Sequence, residues 1–228
     1  DYQKWFPPGY DRSIRSPYHH WLERIGYTPD EAGWFSRFFC MQVPEAHGKP
    51  AFAANQAIDF LDRQPAGAPW LLVVNTLEPH HPNTSPRNRQ YDPAALPLPA
   101  GLLEDPPADT PLRVRRISRE HAERGIDGIR YPDLAACRQA VANYYGLVSL
   151  VDTHYGRILD AVARRGEFDD TLIVFASDHG ELLNQYRIWG KGVMYHGAIH
   201  VPLMVKLPGQ RQARRHATPV GHCDIVPT

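Results

Sequence analysis

Four side chains of this chain are of types that bind metal ions and anions, and they follow apolar or glycine-rich segments. They are His80, Asp178, His179 and Lys191. The apolar β-branched run at 172–175 predicts a buried strand that ends just before the aspartate, and the run at 69–75 predicts another that leads to the first histidine. Polar groups beyond the carboxyl ends of such strands lie where open α/β sheets bind ligands. The pattern therefore predicts one common site.

Asp178 and His179 are the candidate metal ligands. A carboxylate and an imidazole on adjacent residues can both reach one ion if the chain turns after the strand, and Gly180 permits such a turn. Oxygen-rich sites select hard cations such as calcium or magnesium, and an added imidazole tolerates manganese or zinc. The alternative interpretation is that Asp178 caps a following helix and that His179 is an ordinary loop histidine.

Lys191 and His80 are candidates for contact with an anionic substrate. Glycines on both sides of Lys191 let the backbone approach a ligand, and its ammonium group can neutralise a sulfate or phosphate oxygen. A solvated surface lysine is the alternative. The imidazole of His80 can hydrogen-bond a leaving-group oxygen. The neighbouring His81 has the same chemistry, and the residue types alone do not decide between the two histidines.

The composition excludes several classes of protein. With 25 basic and 25 acidic residues among 228, the chain has no electrostatic footprint for nucleic acid. No apolar run approaches the ~20 residues of a membrane-spanning helix. The 3 cysteines (Cys40, Cys137 and Cys223) are too few and too scattered for a disulfide framework or a zinc motif. Neither the compartment nor the oligomeric state follows from these numbers.

Helical and extended patterns alternate along the chain. Apolar periodicity and capping signals predict helices at 16–22, 29–39, 50–64, 118–124 and 144–162, the last of them capped by Gly166. Apolar runs predict strands at 69–75, 171–176 and 199–207. Helices that alternate with buried strands indicate an α/β layered architecture.

Three segments of this chain resemble the sulfatase family of the alkaline-phosphatase-like superfamily. They are Pro-His-His-Pro at 79–82, the helix at 150–166 leading to Ser-Asp-His-Gly-Glu at 177–181, and residues 191–209. The resemblance implies a partial three-layer α/β/α alkaline-phosphatase-like (sulfatase) core. It further implies one partial catalytic domain over residues 1–228, with an irregular, partly helical lead-in at 1–48 and the sheet-and-helix core at 49–228.

The resemblance also assigns roles to the four side chains. It implies that Asp178 and His179 bind a divalent cation, with calcium expected first and magnesium or manganese as alternatives. It implies that His80 and Lys191 contact the sulfate and assist departure of the alcohol, because the family pattern Pro-His-x-Pro selects His80 over His81. The expected substrate is a small-molecule sulfate ester, or a phosphate or phosphonate ester in sister enzymes.

The chain departs from the family pattern at the nucleophile. Sulfatases use a cysteine, converted to formylglycine, or a serine in C/S-x-P-x-R, and no segment here has that spacing. The paired aspartate ligands that lie near the family's N-terminus are also absent, residues 183–185 read Leu-Asn-Gln instead of Gly-Asp-His, and His196 stands where glutamate is frequent. We therefore expect a fragment of a formylglycine-dependent sulfuric ester hydrolase that is inactive alone. The alternatives are a phosphonate monoester or phosphodiester hydrolase, or a non-catalytic sulfatase-like module.

Overall fold

The computed structural model describes residues 14–31, 33–125 and 133–226. The helices are α1 Pro17–Arg24, α2 Arg37–Gln42, α3 Lys49–Arg63, α4 Leu112–Arg124, α5 Leu134–Arg164 and α6 His196–Ile199. The strands are β1 Ile173–Ala176 and β2 Leu203–Lys206, and short 3₁₀ helices lie at Glu45–His47 and His222–Asp224. The first 13 residues of the expected lead-in lie outside the described residues. Within the described part of the chain, none of the helices has the length and apolar character required to cross a bilayer.

The chain forms two compact units. The first contains Asp1–Leu98 and Arg124–Ile158, and the second contains Pro99–Glu123 and Leu159–Thr228. One buried cluster of the first unit consists of Tyr18, Leu22, Phe35 and Cys40, and the aromatic residues Trp21, Tyr27, Phe39 and Phe52 pack against it. The buried cluster of the second unit is aliphatic and consists of Leu182, Ile188, Val193 and Ala198.

The helices α1 and α3 confirm two of the predicted helices. Ser16 caps α1, because its hydroxyl accepts a hydrogen bond from the backbone N–H of His19 at 3.2 Å, and Pro17 suits the first turn. In α3 the buried positions repeat at three-four spacing and form one apolar face. They are Ala51, Ala54, Ala57 and Leu61.

Helix α2 begins later than the sequence predicts. The capping pattern at 28–31 predicts a helix over 29–39, whereas α2 begins at Arg37 and is capped by Ser36. The carboxylate of Asp30 accepts hydrogen bonds from the backbone N–H of Ser36 at 2.7 Å and from its hydroxyl at 2.5 Å. Asp30 therefore stabilises the loop before the helix instead of the first turn of a helix at Pro29.

The long helix predicted at 144–162 is confirmed and begins ten residues earlier than expected, at Leu134. Asp133 caps it, since its carboxylate accepts from the N–H of Ala136 at 2.9 Å. The helix ends as expected, with Gly166 at φ 74°. The N–H of Glu167 donates to the carbonyl of Val162 at 3.2 Å, as in a glycine-terminated helix.

Two glycines within α5 are expected to respond in opposite ways to alanine. A Cβ at Gly146 would lie 2.6 Å from the carbonyl oxygen of Arg87, whereas a Cβ at Gly156 would meet no atom within 4 Å. Gly146→Ala should destabilise the chain by about 1–3 kcal/mol because a backbone atom must move. Gly156→Ala should stabilise it by about 0.5–1 kcal/mol because alanine favours the helix. Denaturant unfolding midpoints check both, and equal shifts would contradict the packing of Arg87 against α5.

A partly buried network of charged groups links α5 to the 3₁₀ helix Glu45–His47 and to the loop after residues 79–82. Arg87 donates to both carboxylate oxygens of Glu45, at 2.7 and 2.5 Å, and to the carbonyl of Ser149 at 2.9 Å. The hydrogen bond from Arg87 lowers the pKa of the Glu45 carboxyl. Burial lowers the pKa of His154, whose Nε2 lies 3.7 Å from Glu45 Oε1. The network fixes the loop around Arg87 on α5.

The two strands form an antiparallel pair with Ile173 opposite Lys206 and Ala176 opposite Leu203. The strand expected at 171–176 is confirmed in β1, but it is not buried, since Val174 is 41% exposed. Among the described residues β1 pairs with β2 alone, so no strand pairs with its other edge. The strand expected at 199–207 is shorter, because Ile199 belongs to α6 and the pairing begins at Leu203.

The prediction of a sheet strand at 69–75 is wrong. This segment forms no regular strand and has no strand partner among the described residues. Its side chains alternate in exposure, with Leu71 86% and Val73 72% exposed. Tyr155 of α5 holds the segment, since its hydroxyl donates to the carbonyl of Val74 at 3.3 Å. An apolar run has the composition of a strand, but a strand forms only where a partner completes the hydrogen-bond ladder.

Candidate active site

The turn after β1 is shaped by a close approach between two glycines. The N–H of Gly180 donates to the carbonyl of Ala198 at 2.8 Å, and a Cβ on Gly180 would lie 2.1 Å from the carbonyl oxygen of Gly197. Ser177 donates from its hydroxyl to the carbonyl of His179 at 2.8 Å. Gly180 is not among the residues with positive φ. The position therefore requires glycine because of the neighbouring backbone and not because of a left-handed turn, which differs from the sequence-based reason.

The side chains of Asp178 and His179 meet beside this turn. Asp178 Oδ2 lies 3.5 Å from His179 Nε2, with the aspartate side chain 86% and the histidine side chain 35% exposed. The alternative in which Asp178 caps a following helix is not realised, because the next helix of the described chain begins at His196. The carboxylate accepts instead from the N–H of His179 at 3.0 Å. The two side chains share one space at the end of β1.

The ring orientation of His179 suits a metal ligand. Its Nδ1 lies 2.9 Å from the carbonyl oxygen of Gly180, and because a carbonyl only accepts, Nδ1 carries a proton. In the neutral ring the lone pair is then on Nε2, the nitrogen that faces Asp178. A carbonyl partner that fixes the tautomer in this way is usual for metal-binding histidines. A cation between Nε2 and the carboxylate would replace the contact of two lone pairs by two coordinate bonds.

The pair fits a divalent cation as part of its coordination shell. Two donor atoms 3.5 Å apart can both lie at roughly 2.0–2.6 Å from one ion, which is the range of calcium and magnesium bonds to oxygen and of zinc bonds to nitrogen. Calcium takes about 6–8 ligands, so two donors supply a minority of them. Within 14–31, 33–125 and 133–226, no cluster of three or more His, Cys, Asp or Glu side chains is placed to hold a metal.

Lys191 follows a loop whose ends are tied together. The N–H of Leu182 donates to the carbonyl of Gly190 at 3.0 Å, which places the backbone before Lys191 next to that of Glu181. Glu181 also accepts from the N–H of Gly190 at 2.5 Å. Gly190 has φ 79°, so the chain turns at this glycine as it reaches Lys191. Glu181 and Lys191 are ten residues apart in sequence, and these contacts bring Gly190, the residue before Lys191, next to Glu181.

His80 lies in the first unit and has two competing partners at one nitrogen. Its Nδ1 is 2.9 Å from Arg37 Nη2 and 2.8 Å from the carbonyl oxygen of His81. A guanidinium only donates and a carbonyl only accepts, so Nδ1 satisfies one contact at a time. When Arg37 donates, the neutral ring carries its proton on Nε2 and can donate it to a leaving-group oxygen. The rings of His80 and His81 lie 4.2 Å apart, so both remain candidates by position.

Three residues near these candidates were not found by the sequence reasoning. Arg37 contacts His80 across 43 positions, and Nε2 of His222 donates to the carbonyl of Ser177 at 2.7 Å. Glu78 is 5% exposed, and burial raises the pKa of its carboxyl although Lys49 and Arg37 partly offset this effect. Residue type and spacing gave no signal for any of these contacts, because each joins distant segments or depends on burial.

The four candidates are divided between the two compact units. His80 belongs to the first unit, and Asp178, His179 and Lys191 belong to the second. Inside the second unit the structure brings Asp178 and His179 together and connects Gly190, the residue before Lys191, to the backbone of Leu182 and the carboxylate of Glu181. The approach of His80 to the other three stays a prediction.

Comparison with known proteins identifies the class to which this fold and these residues belong. The chain is similar to the solved phosphonate monoester hydrolase SpPMH of Silicibacter pomeroyi, with a TM-score of 0.65 and 28% identity over 87% of this chain and 42% of that chain. The fold is therefore the α/β fold of the alkaline-phosphatase-like hydrolases, of which the chain matches a part.

The family within this class is the sulfatases. The sulfatase family model matches residues 6–228, so the chain belongs to the sulfatase family, which is an enzyme family. It is 31% identical over 189 residues to choline-sulfatase of Rhizobium meliloti (78% of this chain, 35% of the relative). It is 29% identical over 215 residues to arylsulfatase of Clostridium perfringens (92% of this chain, 40% of the relative). The chain thus spans well under half the length of these curated relatives.

Proposed function

We propose that a protein containing this chain is a metal-dependent sulfuric ester hydrolase. The observation that carries the proposal is the pair Asp178–His179, in which a carboxylate oxygen and the lone-pair nitrogen of a carbonyl-fixed imidazole lie 3.5 Å apart in a sulfatase-family chain. This geometry is what two ligands of one divalent cation require. We assign calcium as the first choice, with magnesium or manganese as alternatives, because the donors are hard or borderline.

The residues of this chain have separate roles in the proposed reaction. Asp178 and His179 hold the cation, which supplies Lewis-acid stabilisation of charge on the ester group when it is bound. Lys191 holds a sulfate oxygen with its ammonium group, and glycines on both sides give the substrate access to it. His80 donates from Nε2 to the departing alcohol oxygen, in the tautomer that Arg37 selects by donating to Nδ1. The nucleophile, a formylglycine by resemblance, has no counterpart in these 228 residues.

A second candidate is a phosphonate monoester or phosphodiester hydrolase. The similarity to the phosphonate monoester hydrolase SpPMH favours this alternative. A cation, a lysine and a histidine serve a phosphoryl or phosphonyl group as well as a sulfuryl group, because the negative oxygens occupy similar positions. A non-catalytic sulfatase-like module is the third candidate, and it would bind the cation without turnover of any ester.

A panel of esters with one charge-removal variant tests these proposals. We expect a full-length protein containing this chain to hydrolyse an aryl sulfate faster than an aryl phosphonate or an aryl phosphodiester. Lys191→Ala should lower kcat by roughly 10²–10³-fold, the cost of removing one preorganised charge-stabilising donor. Arg214→Ala, which removes an exposed cation of the same unit, is the matched control and should leave kcat unchanged.

Each result of the panel selects one function. Preference for the phosphonate would establish the second candidate, and calcium binding without turnover of any ester would establish the non-catalytic module. A Lys191→Ala enzyme that keeps the kcat of the Arg214→Ala control would contradict the role of the lysine.

A further inference from the structure

The carboxylate of Glu181 ties together the two ends of segment 182–190. Its Oε1 accepts from the N–H of Leu183 at 3.1 Å and from the N–H of Gly190 at 2.5 Å. The segment begins three residues beyond His179 and ends at the residue before Lys191. We propose that Glu181 is a positioning residue that fixes Lys191 relative to Asp178 and His179. The inference rests on the proposed function, in which Lys191 holds the anionic group of the substrate.

The segment needs such a tie because its backbone is wound into unfavourable conformations. Four non-glycine residues of the segment have positive φ: Leu183 at 48°, Asn184 at 72°, Tyr186 at 50° and Arg187 at 61°. L-residues adopt this region at a cost and persist there only where the surroundings hold them. A cluster of this kind tends to relax when its ends are released.

Contacts from outside the segment hold its middle and also reach Trp189 near its end, whose N–H donates to Nδ1 of His121 at 3.3 Å. The N–H of Tyr186 donates to the carbonyl of Gly101 at 2.9 Å, and Arg187 forms an ion pair with Asp105 at 2.6 Å. Near the end, the N–H of Gly190 donates to the Glu181 carboxylate, and the carbonyl of Gly190 accepts from Leu182. Both bonds at Gly190 join the end of the segment to its beginning, and the Glu181 carboxylate makes one of them, so Glu181 helps to set the position of the residue that follows.

The chemistry of the contact defines the matched variants. One oxygen of Glu181 accepts from two backbone N–H groups, and the amide oxygen of glutamine has the two lone pairs to do the same. Alanine has no acceptor, so Glu181→Ala would leave both N–H groups without the carboxylate. Aspartate keeps the charge but is one methylene shorter, so Glu181→Asp would not reach both. Acceptor geometry and negative charge are therefore separable.

Steady-state kinetics of a full-length protein containing this chain, with an aryl sulfate as substrate, tests the proposal. Glu181→Ala should lower kcat/KM by about 10–100-fold, the range found when a group that orients a ligand is removed. Glu181→Gln should stay within about threefold of the original protein because it keeps the acceptor. When Lys191 is already alanine, adding Glu181→Ala should lower kcat/KM by less than about a further threefold, because the effect of Glu181 acts through the lysine.

Backbone hydrogen exchange adds a readout that does not depend on turnover. The amide of Gly190 should exchange faster in Glu181→Ala and Glu181→Asp and at an unchanged rate in Glu181→Gln. If Glu181→Ala fails to fold, Glu181→Asp takes its place in the kinetic cycle.

Two results would overturn the proposal. One is a loss in Glu181→Gln as large as in Glu181→Ala, which would mean that the charge acts directly. The other is an undiminished cost of Glu181→Ala in the Lys191→Ala background. Failure of the proposed function has a different signature, because the original protein would then not turn over the aryl sulfate, or Lys191→Ala by itself would have no effect.

Discussion

The 228-residue chain, purified alone, should hydrolyse neither an aryl sulfate nor an aryl phosphate above the buffer rate. The sequence contains no C/S-x-P-x-R segment, so the chain can stabilise charge on the ester but leaves only water to attack it. Loss of the nucleophile costs roughly 10⁶-fold in a well-studied protease, which would place any remaining turnover below detection. A continuous assay with a chromogenic ester measures this directly.

A matched preparation of Asp178→Ala separates residual activity from contamination. Turnover that survives in Asp178→Ala comes from a contaminant and leaves the expectation standing. Turnover by the original chain that is lost in Asp178→Ala would contradict it, because the 228 residues would then contain a nucleophile outside the family's spacing.

In a full-length protein containing this chain, Asp178→Ala and His179→Ala should each abolish turnover. The two side chains supply donor atoms 3.5 Å apart, and either substitution leaves one donor. Removal of a group that only orients a metal ligand costs about 10–100-fold in affinity or activity, so loss of a ligand itself should cost at least this much. Turnover after exhaustive chelation and calcium re-addition, together with calorimetric calcium binding, measures the loss.

Asp170→Ala is the control for these two variants. Asp170 is an exposed carboxylate that precedes β1 in the same unit, and its removal should leave both calcium affinity and turnover unchanged. Full activity of Asp178→Ala or His179→Ala after calcium re-addition would remove both residues from the metal site.

Local signals predicted the helices where their termini are set by nearby residues. The three-four repeat of α5 gave its existence and Gly166 gave its end, but the repeat did not reach its start, which Asp133 sets by capping. The helix expected at Pro29 failed because Asp30 binds Ser36 six residues away. A capping pattern in sequence does not show which N–H groups its carboxylate reaches.

The extended segments were predicted less well, because sheet pairing is a long-range property. The run at 69–75 has the composition of a strand, yet no described strand pairs with it. The prediction that β1 is buried is wrong for the same reason, since Val174 is 41% exposed. A strand is buried on both faces only where neighbouring layers cover it, and its own residues do not report those layers.

The candidate site also separates into contacts between sequence neighbours, which the sequence predicts, and contacts between distant residues, which it does not. Adjacency in sequence was sufficient to predict that Asp178 and His179 share one space. The contact between Arg37 and His80 and the two hydrogen bonds of Glu181 depend on the folded backbone, so they had no signal in residue type or spacing. The sequence correctly predicts that the turn needs glycine at position 180. The physical reason differs, because the constraint is the carbonyl of Gly197 and not a left-handed backbone conformation.

A crystal structure of a full-length protein containing this chain, grown with calcium and sulfate, tests the central claim most directly. We expect a calcium ion at about 2.3–2.6 Å from a carboxylate oxygen of Asp178. We also expect Nε2 of His179 to coordinate this ion. We expect a sulfate next to this ion, held between Lys191 Nζ and His80 Nε2. Calcium bound elsewhere, with Asp178 and His179 in solvent, would contradict the account. Contact of the sulfate with His81 in place of His80 would show that the alignment to the family pattern is displaced by one residue.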